Sequence, residues 1–194
     1  MGGRSAMEVG DWGIIKAKGF LDIRKYVEPE PIETGYTEWI GNTPVVKQHE
    51  DYNGLIVING DYTSRYCYPG HKKLHYECKK RLEHILNDRL TSTYWFDRWY
   101  MNGSSMAPHK DRPACEISVS MNISQDTHHG WPLMFDIDGE ETPCFTQPGD
   151  AVIYKGMDFQ HWRNKFHGNS FHQIFFHFVR TDGHYLEYAN PPTS

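Results

Sequence analysis

The 194-residue chain lacks any apolar run approaching the ~20 residues of a membrane span, and nothing after Met1 resembles the apolar core of a signal peptide. It also lacks internal repeats, low-complexity tracts and any composition shift that would mark a second domain. These absences exclude a helical membrane protein and a repeat array. The chain reads as one soluble, cytoplasmic domain over 1–194, with Met7 as an alternative start. Cysteine is scarce: Cys67, Cys78, Cys115 and Cys144 form no C-x-x-C pair, which excludes a zinc knuckle or a dense disulfide framework and leaves free, mostly buried thiols. Net positive charge is absent as well. At −5 the chain has no general attraction to nucleic acid or anionic membrane.

Aromatic residues, by contrast, are plentiful at 14% of the chain, which suits a β-rich body. Within residues 1–92, positions 8–60 read as short strands and loops (Ile14-Ile15, Thr43 to Val46, Leu55 to Ile58), interrupted by the Pro-rich Val27–Pro31 and followed by one helix. From His71 to Leu90, apolar residues recur at Leu74, Cys78, Leu82, Ile85, Leu86 and Leu90, close to a 3.6-residue period, with Lys and Arg on the other face. Thereafter only strand patterns occur, at 93–101, 114–123, 132–138, 143–146, 150–155 and 171–180, each bounded by Gly, Pro, Asn or Asp. A run of short strands after a supporting helix predicts a mainly β fold, an all-β sandwich or jelly roll with helical support on one face.

Chemistry concentrates in two segments, His109-Lys110-Asp111 and His161. On a strand, residues i and i+2 point the same way, so His109 and Asp111 can reach one metal ion, and His161 from a distant strand completes a two-His, one-carboxylate set with an open face. The pattern H-x-D alone is weak: with 12 His and 13 Asp, chance supplies roughly one such pair. His49-Glu50-Asp51 and His75-Tyr76-Glu77 are rivals, but the first lacks flanking strands and the second lies in the helix, where i and i+2 diverge. His109 instead sits between the aromatic run Tyr94–Tyr100 and the β-rich 115–123. Few carboxylates surround it, which argues against calcium.

The order of strand, H-x-D, strand with Met121-Asn122, Trp131-Pro-Leu-Met-Phe, Pro148-Gly-Asp-Ala-Val-Ile-Tyr154, then His161-Trp-Arg and a final aromatic strand resembles the Fe(II)/2-oxoglutarate-dependent dioxygenases, particularly their prolyl 4-hydroxylase-like branch. The resemblance covers roughly 93–181. It implies a double-stranded β-helix with the N-terminal helix as buttress, and His109, Asp111 and His161 as ligands of Fe(II). It also implies that Tyr100 lines the 2-oxoglutarate pocket. The implied reaction decarboxylates 2-oxoglutarate to succinate, activates O2 and hydroxylates a C–H bond of a small molecule or a peptide, prolyl or otherwise.

The sequence departs from that branch at one point. The basic residue expected about nine to eleven positions after the distal His is replaced by Ser170, Phe171 and His172. Arg163, two residues beyond His161 and so on the same strand face, is the preferred fork for the far carboxylate, with Arg98, two residues before Tyr100, as the second candidate. That departure keeps open a cupin-like metal enzyme that does not use 2-oxoglutarate, and a non-catalytic jelly-roll binding protein. His128 and His129 read as a surface loop, His167 and His184 as exposed, and one of His172 and His177 as inward-facing. The walls most open to substrate are Ser124–Trp131 and Asp61–Pro69.

Overall fold

A computed structural model describes residues 13–26 and 62–189, apart from the side chains of Thr63 and Pro69, together with the backbone of four short strands between 39 and 59. The first residues, the Pro-rich 27–31 and the rival set His49-Glu50-Asp51 lie outside the described residues. The strands are β1 (Ile14–Ala17), β2 (Trp39–Ile40), β3 (Thr43–Pro44), β4 (Val46–Gln48), β5 (Leu55–Asn59) and β6 (Tyr62–Tyr66), then β7 (Leu90–Met101), β8 (Met106–His109), β9 (Ile117–Asp126) and β10 (Leu133–Ile137), and finally β11 (Glu140–Cys144), β12 (Ala151–Tyr154), β13 (His161–Arg163) and β14 (Ser170–Arg180); the helix α1 is Lys72–Leu86.

From β7 onward the chain passes back and forth between two antiparallel sheets. The large sheet has the order β1-β12-β9-β14-β7-β6-β5-β4, and the small one β11-β10-β13-β8, while β2 and β3 pair separately. Strands β7, β14, β9 and β12 therefore face β8, β13, β10 and β11, which is the double-stranded β-helix expected from the sequence.

At β9 and β14 the large sheet is buried on both faces, and the sequence shows why. Along β9, Ile117, Val119, Met121 and Ile123 join the cluster that packs on α1, whereas Ser118, Ser120 and Asn122, also fully buried, alternate with them and point between the sheets. In β14, Ile174, Phe176 and Phe178 join the helix side, while Phe171, Gln173, Phe175 and His177 alternate with them. The helix meets this face with Leu74, Cys78 and Leu82. The interior between the sheets is thus lined with small polar groups from β9, a surface suited to a site.

Two boundaries differ from the periodicity. The helix ends at Leu86, because Asn87 adopts the left-handed conformation (φ 50°, ψ 45°) and its N–H bonds back to the Glu83 carbonyl. Leu90, counted by period as the helix's last apolar residue, instead opens β7, its N–H held by the Glu83 carboxylate at 2.9 Å. The strand read at 143–146 is Glu140–Cys144, the second arm of a hairpin whose Asp138-Gly139 turn has positive φ at both residues (53° and 85°). This Asp-Gly dipeptide is the sequence signal for that hairpin.

His75 has the buried environment of a core residue. Its ring stacks on Phe178 at 5.2 Å and on Trp95 at 4.6 Å, and its Nε2 has no hydrogen-bond partner among the described residues. Burial pulls its pKa down from 6.5 to about 4. A histidine depressed in the folded state is neutral there while the unfolded chain takes up the proton, so stability is complete above about pH 6.5 and falls as pH drops toward 4. His75→Leu is expected to remove about 2 to 3 kcal/mol of the stability difference between pH 7.5 and 4.5, measured by urea unfolding. An unchanged pH slope would show that His75 is not the titrating group.

Candidate metal centre

Pairing of β8 with β13 sets His109 directly across from His161, with ring centroids 4.3 Å apart. Each imidazole donates its Nδ1–H to the carbonyl two residues earlier in its own chain, His109 to Ala107 at 2.9 Å and His161 to Phe159 at 3.0 Å. These bonds fix the tautomer, leaving both Nε2 atoms as bare lone pairs. Both point at one oxygen: Asp111 Oδ1 lies 3.6 Å from His109 Nε2 and 3.5 Å from His161 Nε2.

Asp111 arrives by a route other than strand alternation. Strand β8 stops at His109, and Asp111 lies beyond it, tied by its N–H to the Gly156 carbonyl at 2.9 Å. Its other oxygen accepts a hydrogen bond from Ser118 Oγ at 2.9 Å. A Cβ at Gly156 would sit 2.0 Å from Asp111 Oδ2, so only glycine leaves room for the carboxylate. The P-G-D turn contributes further back: Gly149 has φ 92°, and Asp150 accepts from the backbone N–H of Gln147 and of Gly19, fastening the start of β12 to the turn after β1.

Electrostatics and exposure match a ligand set. Burial alone would raise the Asp111 pKa, but the His109 and His161 imidazoles beside it hold it far below the usual carboxylate range. The Asp111 carboxylate in turn raises His109. The His161 side chain is 2% exposed, Asp111 13% and His109 41%, so the three converge on a site closed on one side and open on the other. Two donors at right angles about 2.1 Å from an ion lie ~3 Å apart, so the observed spacings need to contract by roughly half an ångström to close on one metal. Two neutral imidazoles and one carboxylate fit Fe(II), or Mn, Co or Ni in its place.

These three side chains open onto a cavity of about 410 Å3, with Tyr66, Tyr94, Phe96, Arg98 and Phe175 on its wall. Tyr94, Phe96, Arg98 and Tyr100 share the inward face of β7, as alternation predicts. Tyr66, within the predicted wall 61–69, lines the cavity; residues 124–131 do not, and His128 and His129 are exposed.

The two candidate arginines occupy different places. Arg98 lines the cavity, its Nε bonded to Ser64 Oγ at 2.7 Å and its guanidinium 4.3 Å from the Tyr62 ring centroid, with no carboxylate paired to it among the described residues. Arg163 is buried and does not line the cavity; it donates to the Trp131 carbonyl and to Gln173 Oε1, and packs over the Trp131 and Phe171 rings. Burial without a carboxylate pulls Arg163 down to about 10, which leaves it charged at neutral pH. Its Nε and the buried Tyr100 hydroxyl have no partner among the described residues.

Of two supporting groups, sequence reasoning left His177 open against His172 and missed Ser118. Ser118 joins Asp111 to His177, donating to the carboxylate and lying 3.0 Å from His177 Nδ1, and His177 lines the cavity with its ring against Tyr94. Alternation along β14 was the available signal for His177. Ser118 carried none.

A second set of two histidines and a carboxylate lies on the outer face of the large sheet. Asp97 accepts from His71 Nε2 at 2.9 Å, from His172 Nε2 at 3.0 Å and from the fork of Arg65. All four side chains are buried. The guanidinium already occupies the carboxylate and would repel a cation, so this is an internal ion-pair network.

No family model matches the sequence, and no curated protein matches it. Among solved structures, the chain is similar to the non-heme alpha ketoglutarate dependent epimerase SnoN from nogalamycin biosynthesis, with a TM-score of 0.57 at 12% identity over 86% of this chain and 77% of that one. It is similar to an oxidoreductase of the 2OG-Fe(II) oxygenase family from Burkholderia pseudomallei (TM-score 0.54, 12% identity, 63% of this chain and 70% of that one). A Pseudomonas putida prolyl-4-hydroxylase gives 0.50 at 15% identity over 63% and 73%. The likeness is one of fold, and it is the fold expected from the order of motifs.

Proposed function

We propose that this chain is a non-haem Fe(II)- and 2-oxoglutarate-dependent oxygenase acting on a C–H bond of a small molecule or peptide, with His109, Asp111 and His161 as metal ligands. The observation that carries the reading is the convergence of two tautomer-fixed Nε2 atoms on one carboxylate oxygen at the edge of an open cavity. When bound, the metal and 2-oxoglutarate supply the oxidising chemistry, with O2 as co-reactant and succinate as product. The chain itself orients the ligands through Ser118, Gly156 and two backbone carbonyls, and walls the cavity with aromatic rings. Structural neighbours with this fold include both a hydroxylase and an epimerase, so hydroxylation as the outcome belongs to the proposal.

For the far carboxylate of 2-oxoglutarate, cavity lining favours Arg98 over Arg163, which reverses the preference drawn from strand spacing. Arg98 faces the cavity with terminal nitrogens to offer, and Tyr100 lies beside it on the same face; Arg163 has two donors already committed to the barrel. Arg98→Ala is expected to raise the KM for 2-oxoglutarate, read as succinate release, at least about tenfold, or roughly 1.4 kcal/mol, with metal content unchanged. Arg163→Ala is expected to lower the melting temperature instead. A KM effect confined to Arg163→Ala would move the anchor to β13. Succinate formation by neither the parent protein nor the variants, at full Fe(II) occupancy, would favour the metal enzyme that does not use 2-oxoglutarate.

A further inference from the structure

The cavity mouth holds more positive charge than the metal, Asp111 and 2-oxoglutarate consume. Its wall carries Arg98, Lys110 and Arg112 against the single carboxylate of Asp111. A divalent ion and a 2-oxoglutarate dianion cancel each other, and Asp111 offsets Arg98. Lys110 and Arg112 are left over. Neither forms an ion pair among the described residues, although acids outnumber bases by 25 to 20 in the whole chain.

The position of Arg112 is defined rather than incidental. Its backbone, extended at φ −83° and ψ 165°, caps the 3-10 turn Pro113–Cys115, and its carbonyl accepts the Cys115 N–H at 2.8 Å. From that fixed base the guanidinium lies over the Tyr94 ring, 5.0 Å from its centroid, while the residue stays exposed at the cavity rim. Behind it runs a continuous aromatic wall. Tyr94 and Phe96 stack at 6.1 Å with 13° between planes, Phe96 and Tyr66 at 4.8 Å with 22°, and Phe96 and Phe175 at 4.6 Å with 19°. A guanidinium at the rim of a flat apolar wall complements an anion carried on a flat apolar body.

Resting on the oxygenase reading, we propose that the substrate is a small organic acid whose carboxylate or phosphate is held by Arg112, with Lys110 beside it, and whose flat apolar body lies against Tyr94, Phe96 and Tyr66. This orientation points the body of the substrate from the rim toward His109 and His161, which share the cavity. Arg112 is then a specificity-determining residue, distinct from the 2-oxoglutarate anchor.

Protein loaded with Ni(II), which holds the site without turnover, is titrated calorimetrically with phenylacetate, indole-3-acetate and phenyl phosphate, and with phenylacetamide and indole-3-acetamide as neutral counterparts, with and without saturating 2-oxoglutarate. At least one acid is expected to bind at least about tenfold more tightly than its neutral counterpart, to weaken with added salt, and to lose that preference in Arg112→Gln while the 2-oxoglutarate Kd stays unchanged. Preference for phenyl phosphate over the carboxylates identifies a phosphate monoester, and the reverse a carboxylic acid. Amides binding as tightly as acids, no acid binding, or a preference that survives Arg112→Gln combined with Lys110→Gln overturns the proposal. Loss of 2-oxoglutarate binding in the parent protein, with acid preference intact, would instead sink the oxygenase reading and leave the anion site standing.

Discussion

His109→Ala is expected to fold normally and to lose its metal. The side chain is 41% exposed, hydrogen-bonds to the carbonyl of Ala107 and faces the Asp111 carboxylate at 3.6 Å, so its removal leaves no buried hole. The remaining donors, one imidazole and one carboxylate, form an incomplete set that water must complete, and affinity for Fe(II) or Ni(II) should fall at least about a thousandfold, or ~4 kcal/mol. His161→Ala should do the same at a greater structural cost. That imidazole is buried against Tyr154 at 4.9 Å and Phe135 at 6.0 Å, and a cavity there costs about 1 to 3 kcal/mol. Elemental analysis after metal loading and desalting reads the first effect, and urea unfolding reads the second. Succinate release should fall to background in both variants. Stoichiometric metal in His109→Ala and His161→Ala alike would rule the triad out, and with it the proposed function.

How much of this was legible before the fold was known follows from which contacts are local. His109 and Asp111 are two residues apart and His161 follows a recognisable P-G-D strand, so the candidate set that the fold brings together could be read. The mechanism of their convergence could not, because Asp111 is positioned by the Gly156 carbonyl and Ser118, contacts formed only when β12 and β9 come together. The inward face of β7 followed from alternation and holds. The surroundings of Arg163 and Arg98 were not legible, because strand parity says which face a side chain takes and not what already occupies it; Trp131 and Gln173 take donors of Arg163. The Asp138-Gly139 turn was legible and its strand was misplaced, since a two-residue hairpin starts its second arm at once. Most hidden was the Asp97 network, whose members come from β6, the turn before α1, β7 and β14.

Asp97→Asn is expected to cost about 3 to 5 kcal/mol, a large part of the roughly 5 to 15 kcal/mol that holds a domain of this kind together. The wild-type carboxylate is fully buried between the sheet and the start of α1, and it neutralises an Arg65 side chain that is 6% exposed. An amide keeps the shape but removes the charge, leaving a buried guanidinium uncompensated. It also leaves one acceptor oxygen where His71, His172 and Arg65 now share two. His71 Nε2 must donate to Asp97, because its Nδ1 is paired at 2.9 Å with the Tyr26 hydroxyl and accepts there. The pH dependence separates a charge effect from a packing effect. Burial opposes ionisation of Asp97, but the hydrogen bonds from His172, His71 and Arg65 prevail and hold its pKa far below the ordinary carboxylate value. A depressed carboxylate contributes stability that is complete above the unfolded pKa, near 3.9, and is lost as pH falls toward the folded value. The difference between wild type and Asp97→Asn in urea unfolding should therefore be constant from about pH 7 to 5 and shrink below about pH 4. Adding Arg65→Met, which removes the stranded cation and keeps the volume, should recover part of the loss. A loss under about 1 kcal/mol at pH 7, or no recovery with Arg65→Met, would mean that the network is not the electrostatic tie between helix and sheet.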